Sequence, residues 1–435
     1  MNELKDFYDL YHQDGLDIIA TVMGSENDIS PDDQRNAIIK NGYDRWHNYY
    51  YPAYSDGSFL MTIPCVEVYD SNGNIIFSDF FSFPDPVRQR FDKKTVVETV
   101  PFLLDKFELV PYTSTDYSKD GEVKTLQTAT VGNGINIVFM GDAFTDRDMG
   151  EGGFYDTIMH QSMEEFFAIE PYKSFRNRFN VYQVKVVSPN GRLGDKYTTA
   201  LESSIADGSS SIDGDADKAE VYSLKVPSIS TTDNLLTCVM VRDQRYAGTC
   251  RMSGSKHSAV AFTAAEVYDG YYFGSTLRHE AGGHGFGFLS DEYWDYNESV
   301  PDSKKENYLN LYEQYGLYSN VDFTGDPSKV HWSAFMSDSR YKDEVGVYEG
   351  GALYRFGVWR PSENSMMNQN MEYFNAPSRW AIYKRIMELS GETASFEKFL
   401  EYDAVNRGTR SAVRPPLRSA ANSVVRHTAP PIIVP

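Results

Sequence analysis

Residues 278–293 read RHEAGGHGFGFLSDEY. Two imidazoles, His279 and His284, stand on either side of a carboxylate, Glu280, and two more carboxylates, Asp291 and Glu292, follow close behind. Neutral imidazole and carboxylate are ligands for a divalent metal, and a carboxylate beside such a metal can take a proton from water. The chain has only eight histidines, so two of them beside GGHGFG single this stretch out. The spacing poses a geometric difficulty. A regular α-helix turns by ~100° per residue, so side chains five apart point roughly 140° away from each other. Histidines four apart would share a face, but His279 and His284 are five apart.

A helix that widens locally removes the difficulty. An i→i+5 turn, a π-bulge, sets residues five apart above one another, and such bulges concentrate at functional sites. The residues between the histidines are Ala281, Gly282 and Gly283. Two glycines in mid-helix cost roughly 1 kcal/mol each relative to alanine. A purely structural helix has no use for that cost; one that must deform, or take a substrate against its backbone, does. The expectation is one Zn²⁺ per chain, held by His279 and His284, with Glu280 deprotonating the bound water. Gly287 lets the chain turn back after His284, which makes Asp291 the expected third ligand and Glu292 the alternative. A competing arrangement pairs Glu280 with His284 at i,i+4 and uses up the base. A regular α-helix here would force that arrangement or an inactive site. Tyr293, Trp294 and Tyr296 are expected to pack or to line a cleft.

Several elements must position these residues. The apolar run INIVFMGDAF (135–144) reads as a buried strand, 154–169 as a helix and 179–188 as a strand, which is a βαβ rhythm. Further strands are expected at 237–243 and 256–263. Residues 265–285 read as helical up to the glycines, 294–350 as acidic, Tyr-rich and irregular, and 378–390 as an amphipathic helix stopped by Gly391. Nearer the N-terminus, Ser30-Pro31 is a helix start signal. Residues 58–83 read as strands, with Asn72-Gly73 as a hairpin turn. The length favours two or three domains. The expected division is a β-rich, sandwich-like domain at 1–125, an α/β (α+β) catalytic domain with a mixed sheet at 126–400, and an extended tail at 401–435. The 31 tyrosines and 26 phenylalanines suit sheets and broad clefts.

A formal charge of −21 repels a phosphate backbone, which sets nucleic acid aside as a partner. No apolar run approaches the ~20 residues of a transmembrane helix. The first residues lack the apolar core of a signal peptide, so a cytosolic protein or one whose leader has been removed is expected. Cys65, Cys238 and Cys250 give no zinc spacing and too few pairs for a disulfide scaffold. Cys238 and Cys250 could pair in an oxidising compartment, and buried thiols are the simpler expectation. Asp213, Asp215 and Asp217 alternate as in a calcium loop, but Lys218 and Leu224 stand where glycine and glutamate belong, so a solvated acidic loop is expected. His331 and Asp142 are expected to be structural.

The pattern H-E-x(n)-H-x-x-G followed by an acidic ligand resembles the metzincin class of zinc peptidases. In that class a sharp turn containing methionine lies beneath the metal, and NSMMN (364–368) has its Ser-x-Met form, with Met367 as the methionine. Four stretches are similar to the IgA-specific metalloendopeptidase family and its relatives from gut bacteria. They are IVFMGDAF (137–144), GHGFGFLSDEY (283–293), YEGGALYRFGVWRPSENSMM (348–367) and NAPSRWAI (375–382). The resemblance implies a zincin/metzincin-like fold, a zinc endopeptidase acting on proteins, an N-terminal β-rich domain and a secreted or cell-envelope address. It does not imply a particular substrate. The family's usual H-E-x-G-H is H-E-A-G-G-H here; an active H-E-x-x-x-H helix is known in the dipeptidyl peptidase III type. No tyrosine stands two residues past Met367, and Tyr373 is a distant candidate for assisting the oxyanion. In zinc peptidases of this shape an edge strand pairs with the substrate main chain, a role expected of KHSAVAFT (256–263). The alternatives are a catalytically inactive protein that binds a glycan or a host protein, and a metal-dependent hydrolase of a non-peptide amide.

Overall fold

The computed structural model describes residues 112–434 apart from 207, 244, 266–272 and 408–426, together with four strands nearer the N-terminus. The chain divides into two compact units, Met1–Tyr112 and Thr113–Pro435. In the first, β1 (Ile19–Gly24) pairs in parallel with β2 (His47–Pro52). There β3 (Val66–Tyr69) also pairs antiparallel with β4 (Ile75–Asp79). The helix start at Ser30-Pro31, the Asn72-Gly73 turn itself and Cys65 lie outside the described residues.

The second unit is built on a mixed seven-stranded sheet. Its strands are β5 (Val123–Gln127), β6 (Ile135–Asp142), β7 (Phe179–Val184), β8 (Leu236–Val241), β9 (Gly248–Ser253), β10 (Ser258–Ala264) and, from the far end of the chain, Ile432–Val434. They lie in the order Ile432–Val434, β9, β10, β8, β6, β7, β5. The central strands β10, β8, β6 and β7 run parallel, and β9 and β5 are antiparallel to their inner neighbours. Strands covered on both faces must be apolar throughout, and the eight residues of β6 are buried at all positions but one. The two faces serve different cores. Ile135, Ile137 and Phe139 pack with Tyr155, Met159 and Phe166 of helix α1 (Phe154–Phe166) and with Phe286. Val138 packs with Val239, Val260 and Ala219 of α2 (Ala216–Ser223) on the opposite face.

Three expectations change here. The stretch 256–263 is not an edge: β10 lies between β9 and β8, because the chain doubles back through β9 before entering it. Residues 294–350 are not irregular throughout. They contain β11 (Trp294–Ser299), the start of a three-stranded sheet with β12 (Tyr348–Gly351) and β13 (Leu353–Arg360). They also contain the 14-residue helix Asp302–Tyr315, which has no fully buried residue but rests Tyr308, Leu311 and Tyr315, at i, i+3 and i+7, against the core. The Asp213–Asp217 stretch is a loop only as far as Asp215, which caps α2 by accepting from the Lys218 N–H at 2.9 Å and leaves Asp217 in the helix's first turn.

The helix expected at 378–390 is Ala376–Leu389. Asn375 caps it by accepting from the Ser378 N–H, Pro377 sits in its first turn, and Gly391 follows at φ +82°. Residues 396–406 form another helix, which runs past the position where an extended tail was expected to begin. Beyond it the described residues 427–434 lie against β9 and β11.

Candidate metal centre

The short helix α3 (Phe273–Leu277) continues directly into a π-helix, Arg278–Phe286, that carries every residue of the motif as far as Phe286. The sequence asks for one widened turn; the structure widens nine residues. What holds the wider helix comes from distant parts of the chain. The Tyr172 hydroxyl donates to the Gly282 carbonyl at 2.6 Å, and the Gly287 N–H donates to the same carbonyl in i→i+5 register at 3.0 Å. Arg278, buried, anchors the start through Glu165 at 2.6 Å and through Glu372.

Two of the glycines are required by close approach. A Cβ on Gly283 would fall inside the Met367 sulfur, and one on Gly285 would stand 2.7 Å from Leu236 Cδ1 of β8. The π-helix is thus pressed between the sheet and the Met367 turn. Gly283→Ala should gain up to ~1 kcal/mol of helix propensity and lose about 1–3 kcal/mol to overpacking against Met367. Thermal denaturation should show a lower Tm, and the drop caused by Gly283→Ala should be smaller in a Met367→Ala background than in the wild type. An unchanged or higher Tm would show that Met367 is free to move aside.

The widened helix brings the two imidazoles together. His279 Nε2 and His284 Nε2 are 3.1 Å apart, and Asp291 Oδ1 lies 3.1 Å from the first and 3.4 Å from the second. All three residues are at most 2 % exposed, and among the described residues theirs is the one His/Cys/Asp/Glu group able to hold a metal ion. The orientation of the rings follows from their other nitrogens. His279 Nδ1 donates to the Met366 carbonyl at 3.0 Å and His284 Nδ1 to the Leu289 carbonyl at 2.7 Å. A carbonyl only accepts, so Nδ1 carries a proton in both rings and the two Nε2 atoms, facing each other, are left for a metal once they are deprotonated. Three donor atoms each ~2.0–2.2 Å from a tetrahedral zinc would stand roughly 3.3–3.6 Å apart. The observed triangle is slightly tighter than that and fits the ion.

Asp291 is held by its neighbours in sequence. Asn320 clamps Ser290, accepting from its N–H and donating to its carbonyl, both at 2.8 Å. Glu292, the alternative ligand, faces the other way. Its carboxylate accepts from Ser365 Oγ at 2.6 Å, Asn320 Nδ2 at 2.9 Å and Asn375 Nδ2 at 2.8 Å, and its N–H donates to the Met367 carbonyl at 2.8 Å. Glu292 therefore ties the Asp291 loop to the Met367 turn and does not join the cluster of His279, His284 and Asp291.

Glu280 is wholly buried, and neither carboxylate oxygen closes a hydrogen bond. The Thr428 hydroxyl is near enough to act on it without reaching bonding geometry. Burial raises the Glu280 carboxyl above its ordinary range, against the opposing pull of His284 and His279. For His279 burial pulls down, but the hydrogen bond it donates to Asp291 and the charges of Glu280 and Asp291 outweigh it and raise the imidazole to about 9. Asp291 is the converse: burial pushes up, the two histidines pull down, and its carboxyl settles at about 2.

Other singled-out residues have structural partners. Asp142 accepts from Ser188 Oγ at 2.8 Å and from the N–H groups of Leu201 and Ser203, both at 3.1 Å. His331 stacks on Tyr312 with ring centres 3.8 Å apart and bonds the Val321 carbonyl. The Tyr373 hydroxyl donates to the Asn364 carbonyl at 3.1 Å. Cys238 and Cys250 are free and buried. Tyr172, Asn320 and Thr428 went unnoticed in the sequence; only Asn375-Ala-Pro carried a readable signal, that of a helix cap.

Residues 123–333 match the family model described as IgA Peptidase M64. The matched stretch opens on β5 and takes in the strands β5–β10, the π-helix and the three donors, while Met367 and Ala376–Leu389 lie beyond it. No curated protein matches the chain.

Proposed function

We propose that the chain, whose residues 123–333 match the IgA Peptidase M64 family, is a metallopeptidase of that family and a zinc-dependent endopeptidase of proteins with a metzincin-like site. In this reading His279, His284 and Asp291 hold the metal, Glu280 is the general base, and Met367 forms the floor. The observation that carries it is the triangle of Nε2, Nε2 and Oδ1 atoms, with both Nδ1 atoms tied to carbonyls, beside a buried carboxylate that has no hydrogen bond.

A zinc ion at such a site supplies a Lewis acid and lowers the pKa of water to about 7. Glu280 then takes the proton from the attacking water. Its raised pKa suits it to keep that proton and hand it to the departing amine. The Nδ1 bonds to Met366 and Leu289 fix the imidazole rings, so the ligands need no rearrangement. Nothing in these residues selects an antibody over another protein.

Protein purified without chelator should carry near one zinc per chain and should cleave an unstructured protein. Chelation should abolish cleavage and added zinc should restore it. A chain with no metal and no cleavage would support the inactive binding protein instead. Acid should also weaken metal binding. With His279 at about 9, its proton must leave for the metal to bind at any lower pH. Zinc affinity should fall roughly tenfold per pH unit from pH 8 to pH 6, one proton being displaced per ion. Competition titration with a chromophoric chelator reads this slope, and a flat profile would remove His279 from the ligand set.

A further inference from the structure

The residues of this site are closed off from solvent, Glu280 and His284 entirely and His279 and Asp291 to within 2 %. A protein substrate must reach them, so some covering element has to yield. One segment stands out. Residues 427–434 cross from the ligand loop to the edge of the main sheet. At the first wall His427 stacks on Tyr293 with ring centres 3.7 Å apart and contacts Asp295 at 3.2 Å, while the Tyr293 hydroxyl donates to the Thr428 carbonyl at 2.9 Å. At the second wall the Ala429 N–H donates to the Gly248 carbonyl at 3.3 Å, and Ile432–Val434, the strand β14, pairs in parallel with Arg251–Ser253 of β9.

Between these walls lies Glu280. A Cβ on Gly248 would stand 2.8 Å from Glu280 Cγ and 3.1 Å from its Oε1, so the backbone to which Ala429 bonds is the backbone that touches the base. Thr428, buried to 3 %, occupies the same place from the tail. Pro430 and Pro431 follow; lacking N–H groups they add no ladder bonds, and their stiffness favours an extended course. Without this segment β9 would be an open edge of the main sheet, the kind of edge to which an extended peptide adds as a strand. The hold on β9 is short, three paired residues with Ile432 partly exposed.

On the metallopeptidase reading above, we propose that residues 427–434 are an autoinhibitory strap: the chain's own peptide occupies the cleft beside Glu280 in which an extended protein substrate binds along β9. Activity then requires the strap to leave.

The test compares the full chain, a chain lacking residues 427–435, and Ile433→Pro, which puts a proline in the middle of the strand paired with β9 without touching the metal centre. A fluorescent peptide HTAPPIIVP is the probe. Both altered chains should cleave an unstructured protein at least tenfold faster than the full chain. Amide hydrogen exchange at Arg251–Ser253 should quicken while β6 and β8 stay protected. The peptide should bind the shortened chain by fluorescence anisotropy, fail to bind the full chain, and restore inhibition. If the shortened chain does not fold, Ile433→Pro carries the comparison through its exchange and cleavage. Equal or lower cleavage in the altered chains, with no peptide binding, would overturn the strap and leave residues 427–434 as structure. If no form cleaves protein the peptidase reading fails by itself. Peptide binding and β9 exchange then still decide whether the segment is a displaceable occupant.

Discussion

Glu280→Gln should keep its metal and lose cleavage by about two to four orders of magnitude, the usual contribution of a positioned general base. The substitution is close to isosteric, which matters in a site with no exposed surface. Glu280 is wholly buried, with Gly248 against its Cγ and the histidines alongside. No hydrogen bond fixes its carboxylate, so the amide breaks no protein contact. The donor triangle does not include Glu280, and zinc content should stay near that of the wild type. The fall should appear in kcat, with single-turnover kinetics showing a slow chemical step. A fully active variant would remove Glu280 from the reaction. A variant without metal would move it into the ligand set, as the i,i+4 pairing with His284 requires.

His284→Ala should lose the metal. Changes in residues that merely support a ligand cost about 10–100-fold in affinity, so loss of a ligand should exceed ~100-fold. The imidazole is fully buried, and its Nδ1 also holds the Leu289 carbonyl at the start of the turn leading to Asp291. The variant therefore loses one donor and loosens the loop that carries another. Equilibrium dialysis against zinc, with circular dichroism to show that the fold persists, reads the effect. Zinc retained at full occupancy in a folded variant would mean that the metal sits elsewhere.

The need for a widened helix was legible because it follows from spacing alone: five residues, two glycines and a metal that demands one face. Its extent was not, since Tyr172 and Met367, which hold and shape it, are remote in sequence. Asp291 could be singled out as a candidate, but its separation from Glu292 depends on Asn320, Ser365 and Asn375, which claim the second carboxylate. The buried strands β6, β7 and β8 announced themselves as apolar runs. Their order did not: GTCRMS, read as nothing in particular, is β9, and it displaces KHSAVAFT from the edge. The helix Asp302–Tyr315 was overlooked because its apolar stripe, Tyr308, Leu311 and Tyr315, is narrow, only partly buried and set among charged residues. The strand Ile432–Val434 left little, because three residues after Pro-Pro need a partner edge to become a strand.

The most direct test of the metal centre is diffraction from crystals of the zinc-loaded protein on either side of the zinc absorption edge. One anomalous peak per chain is expected, within bonding reach of His279 Nε2, His284 Nε2 and Asp291 Oδ1, about 2.0–2.2 Å from each. A peak at any other group of side chains, or none at this triangle in zinc-saturated crystals, would contradict the account.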